Sequence, residues 1–191
     1  LDKNPDACTV GYIGSLREME GVDLTARAVA QLVQKGVKVQ FFVLTGESGQ
    51  AELRQLCKEL GIENFSTIVG PVPHDEVATF YSLIDVFVVS RPSSRVTQLV
   101  TPLKPFEAMA MGRTVVASKL AALEEIIQHE KTGLLYKPDD LNDLADTIEL
   151  CVQQPEKRQE IGRAAQQWVL ENRTWDVVVK NTKEVYNRLE I

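Results

Sequence analysis

An α/β domain built on an open parallel sheet is the fold class this sequence predicts, and three observations predict it. Short β-rich runs alternate with helical patterns along most of the chain. Two of those runs, Phe41-Phe42-Val43-Leu44 and Val86-Phe87-Val88-Val89, are continuously apolar, as strands covered on both faces are. The segments between them carry the three-and-four spacing of amphipathic helices, which a parallel sheet needs as crossovers.

Taken in order, strands are expected at 8–13, 37–44, 65–69, 84–90, 114–117 and 133–136, about six in all. Val22, Ala26, Val29 and Val33 line one face of a helix closed by Gly36. Leu53, Leu56, Cys57 and Leu60 do the same before Gly61, and Val77, Phe80 and Tyr81 mark a short helix. After Tyr136 the pattern is purely helical. Leu141, Leu144, Ala145, Ile148 and Val152 form one amphipathic face, ended near Gln154-Pro155. Ile161, Ala164, Ala165, Trp168 and Val169 form a second. Trp175, Val178, Val179, Thr182, Tyr186 and Leu189 form a third. Residues 1–172 therefore read as one domain, and 173–191 as a C-terminal helix whose apolar face packs on something beyond it.

Composition narrows the function classes. A length of 191 residues and a hydrophobic fraction of 44% suit one domain with a substantial core. A net charge of -6 argues against nucleic acid as the main partner, since such proteins concentrate Lys and Arg. Cys8, Cys57 and Cys151 are far apart and outside any CxxC pattern, so they read as buried thiols in a reducing compartment. No apolar run approaches the ~20 residues of a membrane span. The opening Leu1-Asp2-Lys3-Asn4-Pro5-Asp6 has neither an initiator methionine nor a signal-peptide core, which suggests a piece of a longer protein.

In open parallel sheets ligands bind at the carboxyl ends of the strands, so the loops there are the candidates. After the first strand come Gly14 and Ser15, where a ligand could approach the backbone closely, although an ordinary tight turn explains them as well. The dinucleotide pattern GxGxxG is absent. Thr45-Gly46-Glu47-Ser48-Gly49 follows the second strand as a small-residue loop. The third leads to Gly70-Pro71-Val72-Pro73-His74, where His74, one of two histidines, also suits a surface role. Ser90 to Gln98 after the fourth is polar and reads as a mobile surface loop.

The stretch 101–112, Thr-Pro-Leu-Lys-Pro-Phe-Glu-Ala-Met-Ala-Met-Gly, concentrates the remaining chemistry. Pro105 fits the first helical position, Gly112 can end the helix, and the apolar run between them predicts that it is buried all round. A buried helix that starts with Lys104 and Glu107 is a candidate anion or sugar-nucleotide site. The helix dipole accounts for Glu107 equally well, and Lys104 also suits a solvated surface.

Val10-Gly-Tyr-Ile-Gly-Ser-Leu with Glu20-Gly21, Phe42-Val-Leu-Thr-Gly-Glu, Val69-Gly70 with His74, the segment 81–88 around Asp85, Pro105-Phe-Glu-Ala-Met-Ala-Met-Gly-Arg-Thr-Val-Val-Ala-Ser, and Gly133-Leu-Leu-Tyr with Pro138-Asp139 occur in a specific order. In that order they resemble the C-terminal, donor-binding domain of GT-B glycosyltransferases. The resemblance is to the large retaining family of bacterial mannosyl- and glucosyltransferase-like enzymes, the group 1 glycosyl transferases. It implies a Rossmann-like half of a GT-B fold and transfer of a sugar from a UDP- or GDP-linked donor with retention at the anomeric carbon. No metal or other cofactor is implied. Gly14, Ser15, Gly46, Glu47, Val72 and His74 would line the donor, joined by Arg95, Thr101, Pro102 and Leu103. Glu107 would bind the ribose hydroxyls, and Lys104 and Glu107 together would carry catalysis.

Departures from the family pattern are specific. An arginine is usual where Ser15 stands, a lysine where Glu20 stands, and a second glutamate where Leu99 stands; Ala121-Ala122 replaces a Gly-Gly. Some related transferases carry a similar Pro-Leu-Lys-Pro segment, so the expectation is a variant site in which Lys104, helped by Arg95, neutralises the diphosphate. The implied partner is the N-terminal acceptor domain of a longer chain, without which sugar is bound weakly and not transferred. The expected location is cytoplasmic, with peripheral attachment at the inner membrane face left open for the full-length protein. A non-catalytic nucleotide-binding or docking module, or half of a sugar-nucleotide epimerase, are the alternatives.

Overall fold

Val10, Phe41, Phe87 and Val116 lie within apolar runs and are fully buried, and those runs are strands of a single sheet. The computed structural model describes residues 5–188. β1 (Cys8–Ile13), β2 (Val39–Leu44), β3 (Ser66–Val69), β4 (Val86–Val89), β5 (Thr114–Ser118) and β6 (Leu134–Tyr136) lie in the order β3-β2-β1-β4-β5-β6. Every pair is parallel, with Cys8 opposite Val39, Val10 opposite Val86 and Val116 opposite Leu134. The connections carry α1 (Val22–Gln34), α2 (Gln50–Glu59), α3 (Val77–Tyr81), α4 (Arg95–Leu99) with α5 (Lys104–Ala110), and α6 (Ala121–Glu124). α7 (Leu141–Gln153), α8 (Pro155–Asn172) and α9 (Trp175–Arg188) follow. This is the expected open parallel α/β fold. Leu189 and the rest of the expected helix to residue 191 lie outside the described residues, as do positions 1–4.

Strand order reverses between β1 and β4, because β2 and β3 build outward on one side and β4 to β6 on the other. A crevice opens at such a reversal, at the carboxyl ends of the two central strands. Close packing fixes its floor. Gly21 adopts a left-handed φ of 64° at the start of α1, and a Cβ there would lie 1.9 Å from the carbonyl oxygen of Ser90. The Ser90 hydroxyl donates to the Gly21 carbonyl at 2.6 Å and pairs with the Thr25 hydroxyl at 2.7 Å, joining the end of β4 to α1.

Four strands, β2, β3, β4 and β6, begin one or two residues later than the sequence suggests, and in the first three the flanking amides are already used in turns. Val37 donates to Leu32, Phe65 to Ile62 and Ile84 to Tyr81, so pairing starts one or two residues further on. The segment after β4 is not simply a loop. It holds α4, started by a capping box in which Ser94 and Thr97 exchange side-chain and backbone hydrogen bonds.

α5 also departs from expectation. Lys104 is its first residue, with Pro105 behind it, and Glu107 is exposed while Ala108 and Met109 are fully buried. Its end is as expected: Gly112 at φ 67° donates to Met109, and Arg113 donates to Ala108, a Schellman closure. At the amino ends of the strands, Asp85 accepts from the Thr9 amide at 2.9 Å and lies 3.6 Å from Arg158 of α8. That places Asp85 at the end of the sheet opposite the crevice. Cys8, Cys57 and Cys151 are buried and form no disulfide, and burial pushes the Cys151 thiol up to about 12.

Candidate functional site

Five loops meet at the carboxyl ends of the strands, and their charged groups are supported from below by aromatic side chains of the core. Tyr12 in β1, Phe87 in β4 and Tyr81 in α3 form a row, with ring centroids 6.0 Å and 5.6 Å apart. Each tyrosine carries one functional group. The Tyr12 hydroxyl donates to the Ser15 carbonyl at 3.0 Å, and the Lys104 ammonium stands 5.9 Å from the Tyr12 ring centroid. The Tyr81 hydroxyl donates to Glu107 Oε2 at 2.7 Å. Burial first, then the neighbouring Glu20 and Glu107 respectively, push both phenols well above the ordinary tyrosine range. Both therefore remain hydrogen-bond donors.

Glu20 sits in a single turn of 3-10 helix, Glu18–Glu20, between β1 and α1, and its side chain is only 6% exposed. Arg91, just past β4, grips it with both arms of the fork: Nε to Oε2 at 3.2 Å and Nη2 to Oε1 at 2.9 Å. The remaining arm, Nη1, donates to the Val100 carbonyl at 3.1 Å. Lys104 Nζ lies 3.8 Å from the same Glu20 Oε1, with a quarter of its side chain exposed. One carboxylate against two cations leaves a single positive charge in excess among these three groups.

Gly14 makes room for this arrangement. Its amide donates to the Leu44 carbonyl at 2.9 Å, and a Cβ at its φ of 149° would lie 2.0 Å from Lys104 Cε. Gly14 thus borders Lys104, and Ser15 beside it is held by the Tyr12 hydroxyl. Gly46 and Glu47 are exposed after β2, and Gln50 of α2 donates to the Gly46 and Gly70 carbonyls at 3.0 Å each, tying that loop to the one after β3. On this second loop Val72 is half-buried and His74 exposed, the latter opening a 3-10 turn, His74–Glu76. Thr101, Pro102 and Leu103 lead directly into α5, with Leu103 72% exposed.

Arg95 is placed differently from Arg91. It is the exposed first residue of α4, and the cation bound to Glu20 beside Lys104 is Arg91. Arg91, Tyr81 and Tyr12 are site residues that sequence reasoning missed. The available signal for Arg91 was its position: a cation immediately after a fully buried strand at the reversal of strand order. Among the described residues, no three His, Cys, Asp or Glu side chains gather as a metal-ligand group, and no helix is long and apolar enough to cross a membrane.

A parallel α/β unit that gathers charged side chains at its switch point has them where ligands bind in such sheets. Residues 1–168 match the model of the family described as Glycosyl transferases group 1, and the chain belongs to that family. It is 26% identical over 190 residues to D-inositol 3-phosphate glycosyltransferase of Corynebacterium urealyticum, covering 96% of this chain and 43% of that one. It therefore spans less than half the length of that relative. The C-terminal domain of a glycosyl transferase group 1 family protein (LpcC) from Francisella tularensis superposes with a TM-score of 0.74 at 20% identity, covering 88% of this chain and 87% of that one. Anabaena Alr3699/HepE in complex with UDP superposes with a TM-score of 0.76 at 24% identity, covering 97% and 50%. The fold is thus Rossmann-like, one half of the GT-B architecture.

Proposed function

We propose that this chain is the donor-binding half of a retaining glycosyltransferase, holding a nucleotide-diphosphate sugar at the carboxyl ends of its strands while a preceding domain holds the acceptor. The observation that carries the reading is the pair Lys104 and Glu107. Both come from the start of α5, both reach the open end of the sheet, and each is supported by its own buried tyrosine. A carboxylate held through Oε2 by Tyr81 keeps Oε1 and its remaining lone pair for hydroxyl donors, which suits the vicinal diol of a ribose. Lys104 stands where a diphosphate joined to that ribose would lie. As the bond to the sugar breaks, negative charge grows on the diphosphate, and a fixed cation there lowers the barrier. Solution of the Anabaena neighbour with UDP supports a nucleotide in this crevice.

The loops carrying Gly14, Ser15, Gly46, Glu47, Val72 and His74 form the walls, and a UDP- or GDP-linked donor is the substrate. The exposed apolar side of α9, with Trp175 and Tyr186, belongs to the contact with the acceptor domain, so the chain alone binds donor and transfers nothing. A cytoplasmic site of action fits three buried thiols that form no disulfide.

Thermal-shift titration with UDP, GDP, ADP and their sugars tests the reading. Ligand that binds only the native state stabilises by mass action, ~2.7 kcal/mol at a hundred times Kd. One nucleotide series is expected to raise Tm, and Lys104→Ala to lose most of the rise for diphosphates. Absence of any shift at millimolar concentrations would overturn the donor-site reading in favour of a docking module.

A further inference from the structure

Glu20 and Arg91 are buried, oppositely charged and doubly hydrogen-bonded, yet a buried ion pair returns little stability over well-packed apolar side chains. Their placement offers another reason for their presence. Glu20 Oε1 is shared between Arg91 Nη2 at 2.9 Å and Lys104 Nζ at 3.8 Å. Arg91 fixes the rotation of that carboxylate through two parallel contacts, and through Nη1 it also holds the carbonyl of Val100, four residues before Lys104. One guanidinium therefore pins both the carboxylate whose charge draws the lysine and the backbone just before it. The Tyr12 ring limits Lys104 on another side, and Gly14 leaves its stem a slot that any Cβ would close.

We infer that Glu20 and Arg91 are positioning residues, a buried clamp that aims the Lys104 ammonium at the diphosphate of the donor. This rests on the donor-site reading above. The clamp itself adds no net charge, because Glu20 and Arg91 cancel and the excess positive charge is that of Lys104. Lys104 extends four rotatable bonds, and an unrestrained ammonium would spend its charge on solvent in many orientations. Drawn toward Glu20 by charge at 3.8 Å, beyond hydrogen-bond length, it keeps its N–H groups for phosphate oxygens.

Charge balance supplies the test. Glu20→Gln combined with Arg91→Gln removes both charges, preserves side-chain hydrogen bonding and leaves the local sum unchanged. Any loss of diphosphate affinity then reports orientation, not net charge. Calorimetric titrations with UDP, GDP and their nucleosides would be run on the 191-residue wild-type chain, the double variant and Lys104→Ala. The double variant is expected to bind the diphosphate on the order of ten-fold more weakly, the worth of one charge-assisted hydrogen bond. Nucleoside binding should be unchanged. Equal diphosphate affinity in double variant and wild type would overturn the clamp while leaving the donor site standing. Wild type that binds no nucleotide overturns the donor site, and the clamp with it. Should the double variant not fold, Glu20→Asp serves the same measurement. It keeps the charge and can still meet Arg91, but withdraws the carboxylate from Lys104 by one methylene, and unchanged diphosphate affinity there would equally overturn the clamp.

Discussion

Tyr81 sets the orientation of Glu107 from beneath. Its hydroxyl is 2.7 Å from Oε2, and its phenol is held neutral by burial and by the carboxylate itself. Tyr81→Phe removes one hydrogen bond and leaves behind a carboxylate that solvent still reaches, so the stability loss should be about 1 kcal/mol. The larger effect belongs to ligand recognition. Wild-type chain should discriminate against a 2′-deoxy nucleoside diphosphate, because a fixed carboxylate meets both ribose hydroxyls. In Tyr81→Phe that discrimination should shrink about five-fold, since a freely turning Glu107 rewards the diol less. Calorimetry with UDP and 2′-deoxy-UDP measures it, and an undiminished ratio would remove Tyr81 from the site.

At the scale of elements, α5 is held in place at its far end by α8. Gly162 of α8 faces the turn after α5, and a Cβ there would lie 2.4 Å from the Gly112 carbonyl oxygen and 3.3 Å from the Thr114 hydroxyl. Gln166 completes the contact by donating to the Ala110 carbonyl at 2.8 Å. A backbone oxygen cannot step aside, so Gly162→Ala must move α8, and overpacking of this kind costs ~1–3 kcal/mol. Urea unfolding should report that loss, against the small gain that alanine gives in an unconstrained helix. The elements themselves were largely legible in the sequence. All six expected strands are present; β1, β4 and β5 are buried at every position, which leaves no ambiguity of period, while the edge strand β3 is mostly half-buried. α4 was not legible, since its apolar pair Val96 and Leu99 is exposed, not turned to the core, and its start depends on Ser94 and Thr97 finding each other. The candidate site was legible only where its residues share one motif, as Lys104 and Glu107 do. Glu20 and Arg91 are 71 positions apart, and Tyr81 and Glu107 are 26 apart. They meet because the strand order reverses between β1 and β4, a fact of topology that no local pattern encodes. Asp85 depends on topology in the same way: the direction of β4 puts it at the end of the sheet opposite the crevice.

For the whole molecule, the apolar residues left uncovered bear on what completes it. On α9, Trp175 is 82% exposed, Val179 59% and Tyr186 63%, and these positions fall on one helical face. α9 nevertheless starts in contact with α8, with Val177 half-buried and its amide donating to the Thr174 hydroxyl at 3.4 Å. The helix is thus attached by one side and open on the other. If the open face belongs to a preceding acceptor domain, its side chains contribute nothing to the stability of this chain by itself. Trp175→Ser together with Val179→Ser should then change the unfolding free energy of the 191-residue chain by less than ~0.5 kcal/mol, as surface substitutions do. In a longer natural chain that includes the preceding domain, the same pair should cost ~2 kcal/mol or more, because two large apolar groups would leave a packed interface. Urea melts of both lengths make the comparison. Equal small effects would mean that α9 faces solvent in the full protein as well. A large effect already in the shorter chain would mean that α9 folds back on this domain, and that the acceptor half is held by some other surface.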